Sequence, residues 1–373
     1  MNYIRKNPDT SRPEISQNTG LSMASITNIT SHLLEKGLIK ECGIENADRV
    51  GRKSTLLRFN HESYGLICVC ITSGGISFSY TDLKGNIISR ICLDRTDDKD
   101  NLLQITTENI INLISQYKDE TILAISISVS GIILNYNHFV LSSSLRLKDI
   151  DFVTVLESKT DIPVLLNNIT YLKATWCFNC MNQPGSDNMI FIDLDEGIGA
   201  CQFYNGEINM AMLGEIGHTT VEKDGEPCFC GNHGCLEAMC SRERILKLYK
   251  ENSKNYDADL TFEKVVQKYY SGDVYAYAAV DNCAQYLGIA FANLINLFKP
   301  TSLVINVGDF ISLRDIIEKA KHIMHERAYP ALLHNIIIQE VNIGVEQSTE
   351  GAAWMACDRL FSADNQIRTV DLL

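Results

Sequence analysis

The feature that most constrains this chain is a cluster of four metal-ligand side chains within eighteen residues. His218 is followed by Cys228, Cys230 and Cys235, and the glycines between the cysteines allow the backbone to turn tightly. One imidazole and three thiolates match the tetrahedral coordination that a structural Zn²⁺ ion prefers. The sequence therefore predicts a zinc site that fixes the path of this segment. The alternative is that these are unrelated reduced cysteines.

The other cysteines favour an intracellular chain over a secreted one. The sequence contains 13 cysteines, and in a long chain without a secretory leader these indicate reduced thiols rather than a disulfide framework. Cys177 and Cys180 form a C-x-x-C pair without further ligands, so we expect core thiols on a helix. His233, inside the loop, and Cys240, beyond the start of a helix, are poorer ligands. Because no apolar run reaches the roughly 18 residues of a membrane span, we expect a cytoplasmic protein with no membrane partner.

Charge is distributed unevenly along the 373 residues, a length that favours two or three domains. The whole chain has a net charge of −13. Residues 1–60 contain nine Lys or Arg and six Asp or Glu, a balance of +3, so the rest of the chain carries −16. A small basic head on an acidic body predicts that the head alone contacts nucleic-acid phosphates.

The basic head has the pattern of two short helices joined by a turn. Ser11 is a suitable N-cap and Gly20 a suitable stop for the first helix, and Ser22 can cap the second. Only six residues precede Asn7, so we expect either a shortened chain or a frayed first helix at this end. Apolar residues at helical spacing predict one buried face of the second helix, made by Ile26, Ile29, Leu33 and Leu34.

The outer face of the second helix and the segment after it predict contacts with DNA. Residues 38–41 form a predicted strand, followed by the basic tip of a wing that can enter an A·T-rich minor groove. Since the helix has no Arg or Lys, we expect the wing and dimer symmetry to carry much of the specificity. The alternative is a small helical protein-interaction module with a basic loop. The predicted DNA-contacting residues are Ser22, Ser25, Thr27, Asn28 and Ser31 of the helix and Arg49, Arg52 and Lys53 of the wing.

The body alternates strands and helices in two successive stretches, residues 64–165 and 170–345. This alternation predicts two α/β lobes. The predicted strands include 66–80, 121–129, 189–194 and 302–307, and residues 286–298 are predicted as helix. The expected domains are a winged helix-turn-helix at 1–60, a first lobe at 61–169 completed by a C-terminal helix near 349–361, a second lobe at 170–348 and a loose tail at 362–373.

Several motifs resemble those of the ROK family of repressors, open reading frames and kinases. The chain has Gly-Glu-Ile-Gly-His at 214–218 and Cys-Phe-Cys-Gly-Asn-His-Gly-Cys-Leu-Glu at 228–237. Residues 287–300 and 351–353 resemble the late helix and turn and the closing helix of the family. The N-terminal extension is similar to that of the xylose and N-acetylglucosamine repressors in the family. The resemblance implies an actin-like, sugar-kinase-like, two-lobed body that binds a sugar in its cleft, usually as a dimer or tetramer.

The resemblance also implies which residues contact the sugar. Carried over by motif, Asn168, Glu215, His218 and Glu237 contact sugar hydroxyls, and together they offer the donors and acceptors that a polyol requires. His218 would also bind zinc through its other ring nitrogen, so that the ion holds the sugar-binding loop. The alternative for Glu215 and Glu237 is a solvated surface or helix-cap role.

Two departures from the family pattern predict that phosphate transfer has been lost. ROK kinases have an Asp general base directly after the position of Asn168, where this chain has Ile169. Losing a positioned base costs roughly 10²–10⁴ in rate. The first phosphate loop of the family is Asp-x-Gly-Gly-Thr, but Cys70 stands at the position of its acid, although Gly-Ile-Gly at 197–199 is retained. The missing carboxylate at 169 also removes a sugar contact, so we expect a deoxy or modified sugar, or a pocket that has drifted from sugars.

The sequence therefore predicts a sugar-responsive, DNA-binding transcription regulator, a repressor without enzymatic activity. Its predicted partners are a DNA operator, a sugar or sugar derivative, and further copies of the same chain. Two other functions remain open. One is a divergent ROK kinase that phosphorylates a hexose with ATP. The other is an interaction protein that keeps the fold and the zinc without a ligand.

Overall fold

The computed structural model shows an N-terminal head followed by a body with two five-stranded sheets. None of the helices in the described ranges has the length and hydropathy of a transmembrane span. The predicted wing residues Arg49, Arg52 and Lys53 and the predicted tail at 362–373 lie outside the described residues. The structure describes residues 1–44, 54–134, 138–181, 187–195, 197–209, 214–254 and 259–361.

The head has the order of helices and strands expected of a helix-turn-helix with a wing. Its elements are α1 (Asn2–Lys6), β1 (Thr10–Ser11), α2 (Arg12–Thr19), α3 (Met23–Glu35), β2 (Ile39–Ile44) and β3 (Thr55–Phe59). The predicted helix boundaries are confirmed. Ser11 forms a capping box with Glu14, Gly20 ends α2 in a left-handed conformation (φ 71°), and the Ser22 hydroxyl accepts from the Ser25 N–H at 3.2 Å.

The predicted buried face of α3 is partly wrong. Ile26 and Leu33 are buried, but Ile29 is 43% exposed. Thr30 is buried instead, and its hydroxyl donates to the backbone carbonyl of Ile26 at 2.8 Å. The reason is the position of α2, from which Arg12 Nε donates to the Thr30 hydroxyl at 2.8 Å. Because α2 covers the side of α3 that carries Thr30, the side that carries Ile29 faces solvent.

The first lobe contains a large sheet in the order β11-β7-β4-β5-β6 and a small three-stranded sheet. Its elements are β4 (Gly65–Thr72), β5 (Gly75–Asp82), β6 (Ile87–Leu93), α4 (Lys99–Gln116), β7 (Ile122–Val129), β8 (Ile132–Leu134), β9 (His138–Ser142), β10 (Leu147–Lys148), α5 (Phe152–Thr160) and β11 (Val164–Asn168). The strand predicted at 121–129 is confirmed as β7. The run 66–80, predicted as one strand, instead forms the hairpin β4–β5, because Gly74 and Gly75 permit a tight reversal inside it.

The second lobe contains a sheet in the order β14-β13-β12-β15-β16, in which β12, β15 and β16 are parallel. After α6 (Ile169–Met181), its elements are β12 (Asn188–Asp195), β13 (Gly197–Tyr204), β14 (Glu207–Ile208), α7 (Leu236–Cys240), α8 (Arg242–Ser253), α9 (Phe262–Tyr270), α10 (Val274–Phe298), β15 (Ser302–Asn306), α11 (Asp315–Arg327), α12 (Pro330–Leu333) and β16 (Ile337–Val341). The strands predicted at 189–194 and 302–307 are confirmed as β12 and β15. The helix predicted at 286–298 is the second half of α10, which begins twelve residues earlier at Val274 and is capped by Asp273.

The closing helix α13 (Val345–Leu360) returns to the first lobe, but it begins before the predicted residue 349. It contacts β4, β5 and β7 and also α6. The two helices cross so closely that a Cβ atom on Gly351 would lie 2.3 Å from the carbonyl oxygen of Leu172. Gly351 therefore marks the helix crossing rather than the start of the helix. Beside it, Trp176 Nε1 donates to Glu350 at 2.5 Å.

The two predicted core thiols of α6 have different environments. Cys177 is buried, whereas Cys180 is exposed, so the prediction is wrong for Cys180. Residues three positions apart on a helix point about 60° apart, which takes Cys180 out of the packed interface.

A buried lysine ties α6 to the sheet of the second lobe. The side chains of Lys173 and Asp193 are 1% and 2% exposed, and Lys173 Nζ lies 3.1 Å from Asp193 Oδ2. Lys173 also donates to Asp195, and Asn306 donates to Asp193 at 2.7 Å. Burial alone would lower the pKa of Lys173, but the two carboxylates outweigh this effect and raise it. The lysine is therefore held in its charged form.

Replacing this buried cation should make the protein easier to unfold. We expect Lys173→Met to lower the free energy of unfolding by about 3–5 kcal/mol, since it leaves Asp193 buried without its cation. Denaturant unfolding followed by circular dichroism measures the change. Lys223→Met is the matched control, because Lys223 is 86% exposed and pairs with Asp224 at the surface. Equal stability of the two variants would contradict the role assigned to Lys173.

Candidate functional site

The four predicted metal ligands come together in the second lobe. The ligand atoms of His218, Cys228, Cys230 and Cys235 all lie within 4.8 Å of one another. Cys228 Sγ is 3.6 Å from His218 Nδ1, and Cys230 Sγ is 3.7 Å from Cys235 Sγ. One imidazole and three thiols at these separations form a donor set that suits a tetrahedral metal ion.

Short backbone turns bring these ligands together. His218 ends a 3₁₀ turn, and Cys235 immediately precedes α7. Gly234 has a φ of 66°, and a Cβ there would lie 1.5 Å from a backbone carbonyl oxygen, so only glycine fits. His233 and Cys240, the two poorer candidates, are outside the cluster.

A cavity of about 460 Å³ lies between the two lobes, beside the metal-ligand cluster. All four predicted sugar-contacting residues line it: Asn168 at the end of β11, and Glu215, His218 and Glu237 from the second lobe. This volume is within the range of small-molecule sites in proteins. The structure thus brings the four residues to one place, in walls that come from both lobes.

His218 connects the cavity with the metal-ligand cluster. Its Nδ1 faces Cys228 Sγ at 3.6 Å, and its Nε2 lies 3.9 Å from Glu215 Oε2. When one ring nitrogen binds a metal, the other carries the hydrogen atom. Metal binding at Nδ1 would therefore leave Nε2 as a donor on the cavity side.

Glu215 and Glu237 supply carboxylate acceptors to the cavity. The Ile198 N–H donates to Glu237 Oε2 at 3.1 Å and so fixes this carboxylate. Gly197 leaves room for it, since its φ is 121° and a Cβ there would lie 2.5 Å from the same oxygen. Burial raises the pKa of both glutamic acids. Partly desolvated carboxylates of this kind are strong acceptors for hydroxyl groups.

Asn168 has less free hydrogen-bonding capacity than the sequence suggests. Its Oδ1 accepts from the Thr170 N–H at 2.9 Å, and its Nδ2 donates to the Gly131 carbonyl at 2.8 Å. One N–H and one lone pair of the side-chain amide remain for a ligand. Asn168 therefore positions the start of α6 as well as lining the cavity.

Other residues of the cavity were not predicted. Asn167 is 2% exposed, and its buried Oδ1 has no hydrogen-bond partner among the described residues, so this acceptor is left unsatisfied at the wall of the cavity. The adjacent Asn-Asn pair is a signal that points to it. Arg359 comes from α13, and no local pattern connects it with the motifs of the second lobe. The unpredicted polar lining consists of Ser130, Ser143, Ser144, Asn167, Thr170, Tyr171, Asp193 and Arg359.

A second cavity of about 280 Å³ adjoins the first and is rich in carboxylates. It is lined by Ser73 of the β4–β5 hairpin and by Gly197, from the two segments that resemble phosphate loops. Burial raises the pKa of Asp309 to about 6, although Arg242 at 3.2 Å opposes this effect. The acidic side chains of the lining are Asp195, Glu237, Glu243 and Asp309, and the basic ones are Arg146 and Arg242.

The two altered kinase positions supply no polar group to either cavity. Ile169 is 1% exposed at the first residue of α6, and Cys70 is 3% exposed within β4. Neither residue belongs to the lining of the two cavities. Beside Ile169, the wall consists of Asn168 and Thr170.

The predicted DNA-contacting residues of the helix lie on the surface of the head. Part of their hydrogen-bonding capacity is used within α3, where the Thr27 hydroxyl donates to a carbonyl one turn earlier at 2.8 Å. The antiparallel strands β2 and β3 pair as far as Ile44 and Thr55. The exposed helix residues are Ser22, Ser25, Thr27, Asn28 and Ser31.

Two sheets with crossing helices between them and a polar cavity between the lobes define an actin-like, sugar-kinase-like protein. The sequence model of the ROK family matches residues 67–359. The chain belongs to the ROK family.

Individual relatives extend the similarity to the head. The xylose repressor of Bacillus spizizenii is 26% identical over 339 residues, which cover 88% of this chain and 86% of the repressor. The crystal structure of a ROK family transcriptional regulator, a homologue of the E. coli MLC protein, has a TM-score of 0.80 at 22% identity and covers 95% of this chain and 93% of its own. A ROK family glucokinase from Streptomyces griseus, in complex with glucose and AMPPNP, has a TM-score of 0.64 at 18% identity and covers 79% of this chain and 99% of its own. The fold of the regulator therefore accounts for more of this chain than the fold of the kinase.

Proposed function

We propose that this protein is a sugar-responsive, DNA-binding transcription regulator that represses genes of carbohydrate metabolism. The observation that carries the proposal is the combination, in one chain, of a helix-turn-helix head and a sugar-kinase-like body with a polar cavity. The similarity to a xylose repressor and to a ROK regulator structure extends over both parts. DNA binding and ligand binding are then functions of the same polypeptide.

The cleft supports the view that phosphotransfer has been lost. A general base must accept a proton in the transition state, and the hydrocarbon side chain of Ile169 cannot do so. Asp195 stands two positions before the first glycine of the retained Gly-x-Gly, and with Glu243 and Asp309 it brings negative charge to the second cavity. Like charges at short range repel a polyphosphate, which carries several negative charges of its own. The body therefore binds its ligand without converting it.

A sugar or sugar derivative fits the first cavity. Hydroxyl groups both donate and accept hydrogen bonds, and the cavity offers acceptors at Glu215 and Glu237 and a donor at His218. With isoleucine at position 169, one carboxylate acceptor of the family is missing. The cavity therefore favours a deoxy or modified sugar over an unmodified hexose.

The cluster of His218, Cys228, Cys230 and Cys235 is proposed to hold a structural Zn²⁺ ion. Three thiolates and one imidazole satisfy zinc completely and leave no open coordination position for catalysis. The ion would supply a cross-link between the 3₁₀ turn and the start of α7. Because these segments also carry Glu215 and Glu237, the same cross-link would fix two walls of the cavity.

Metal analysis tests this assignment. In reducing buffer we expect close to one Zn²⁺ per chain by atomic emission, and removal with a chelator should lower the unfolding temperature because folding and binding are coupled. Cys230→Ser should lose most of the metal, whereas Cys92→Ser, which changes an exposed cysteine outside the cluster, should retain it. A zinc content below about half an equivalent, unchanged by reconstitution, would refute the assignment.

Binding to the upstream region of its own gene tests the regulator proposal. At low salt we expect sequence-preferring binding that a sugar weakens. The sugars to test are D-xylose, D-glucose and N-acetyl-D-glucosamine with their deoxy derivatives. Asn28→Ala should weaken binding to the preferred site by about tenfold, since a base contact of an asparagine amide is worth about 1–3 kcal/mol.

The control for this measurement is Asn252→Ala, which removes an exposed helical asparagine from the body. It should bind DNA as the wild type does. Sequence-independent binding by the wild type would refute the proposal. ATP-dependent phosphorylation of a sugar that is abolished by Glu215→Gln would instead favour the kinase alternative.

The last turn of α13 provides a short route from the cavity to the head. Arg359 lines the cavity, and the neighbouring Asp358 accepts from Arg5 Nη1 in the head at 2.9 Å. The Arg5 guanidinium lies 5.8 Å and 5.9 Å from the ring centres of Phe59 and Phe361, which pack edge-on at 6.3 Å. A ligand that moves this turn would therefore also move the head.

Weakening this contact should reduce the response to the sugar. Typical coupling energies correspond to a 5–150-fold change of DNA affinity when the sugar binds. In Asp358→Asn we expect the sugar to bind as before but to leave the DNA affinity almost unchanged. Glu346→Gln is the control, because Glu346 lies on the same helix as Asp358 but at its other end, where it pairs with Arg90 of β6. The measurement is DNA affinity with and without the sugar. An unchanged response in Asp358→Asn would rule out this route.

A further inference from the structure

Helix α3 and the turn before it expose hydrocarbon on the surface of the head that is proposed to bind DNA. Leu21 and Met23 are each 46% exposed, and Ala24 and Thr27 are exposed beside them. None of the 13 residues of α3 is a lysine or an arginine. Guanine offers only acceptors in the major groove and is most often read by those two residue types, so α3 lacks the usual side chains for reading guanine.

Hydrogen bonds inside the head already use hydroxyl groups of the same surface. The Thr27 hydroxyl donates to the Met23 carbonyl at 2.8 Å, and the Ser22 and Ser25 hydroxyls are hydrogen-bonded to each other at 2.9 Å. Because a hydroxyl group has a single hydrogen atom, Thr27 has none left for an acceptor on a base. Thr27 therefore offers a base its methyl group and an oxygen atom that is already bonded to the backbone.

The exposed hydrocarbon groups form one surface with an amide. Residues three or four positions apart are neighbours on a helix, and this spacing relates Thr27 to both Met23 and Ala24. The same spacing makes Ala24 a neighbour of Asn28, which is exposed. An A·T base pair presents a matching combination in the major groove, since it has the methyl group of thymine beside the N6 and N7 atoms of adenine.

We propose that α3 reads thymine in the major groove through hydrocarbon contacts of Met23, Ala24 and Thr27 with the 5-methyl groups of the bases. The inference rests on the proposed function, DNA binding by the head, and adds which base the helix selects. Cytosine has a hydrogen atom where thymine has the methyl group, so these contacts distinguish the two pyrimidines. The Asn28 amide then accepts from N6 and donates to N7 of adenine in the same base pair or in the next one.

Replacing thymine by uracil tests the proposal, because the two bases differ only in the 5-methyl group. The probe is the site that the full-length protein prefers within the upstream region of its own gene, synthesised once with thymine and once with uracil. Burial of one methyl group changes an affinity by about threefold to fourfold. We expect the wild type to bind the uracil site about tenfold more weakly, as the loss of two such contacts requires.

The substitution Thr27→Ser removes the methyl group of this side chain and keeps its hydroxyl. The variant should bind the thymine site about threefold more weakly than the wild type, and it should lose less affinity than the wild type when uracil replaces thymine. Thr19→Ser is the matched control, because Thr19 is exposed on α2 and its hydroxyl donates to the carbonyl of Ile15 at 2.7 Å. This control should bind both sites as the wild type does.

A second substitution, Met23→Ala, shortens another hydrocarbon side chain, uses a residue of high helix propensity and should act as Thr27→Ser does. Equal affinity of the wild type for the two sites overturns the proposal. The proposal also fails if Thr27→Ser and Met23→Ala lose as much affinity on the uracil site as the wild type, or if Thr19→Ser behaves as they do. Binding without any sequence preference contradicts the regulator and this inference together, whereas sequence preference without sensitivity to uracil contradicts this inference alone.

Discussion

The buried ammonium group of Lys173 organises the cleft. Through Asp193 and Asp195 it binds the end of β12, and its own helix, α6, begins at the edge of the first-lobe sheet. The turn after β12 leads to Ile198, whose N–H holds the carboxylate of Glu237. The ion cluster of Lys173, Asp193 and Asp195 therefore joins α6 to the end of β12, and both elements lead to walls of the cavity. When the lobes move relative to each other, α6 and β12 must move together. A rotation of the lobes about α6 is compatible with that requirement, whereas separation of α6 from β12 is not.

A second constraint acts from the other side of the cavity. His218 has one ring nitrogen beside the thiol of Cys228 and the other beside Glu215. Side chains that contact a ligand are most selective when their own orientation is fixed before binding. Here the backbone turns of the cysteine loop provide that fixation, and Gly234 makes them sterically possible. The proposed ligand-contacting groups of the second lobe are therefore held in place before a ligand binds.

Local sequence predicted those features whose cause is local. Ser11, Gly20 and Ser22 end or begin helices through their own conformations and hydrogen bonds, and the metal-ligand cluster follows from the spacing of its residues. The predictions that were wrong concern features that depend on packing between elements far apart in the sequence. The side of α3 covered by α2 determines that Thr30 rather than Ile29 is buried, and the crossing of two helices determines the need for Gly351. Arg359 in the cavity could not be predicted, because α13 reaches it only after the chain has crossed from one lobe to the other.

The two cavities differ in the charge of their linings, and this difference bears on ligand binding and on phosphate transfer. The first cavity is lined by neutral and acceptor groups that suit hydroxyls, whereas in the second the carboxylates Asp195, Glu237, Glu243 and Asp309 outnumber the cations Arg146 and Arg242. A ligand shifts a conformational equilibrium only by its difference in affinity for the two states. A protein that phosphorylated its ligand would also lower the concentration it has to report. Under the proposed loss of phosphotransfer, occupancy of the first cavity depends on ligand concentration alone. The last turn of α13, which has Arg359 at the cavity and Asp358 and Phe361 at the head, can then transmit that occupancy as a mechanical displacement.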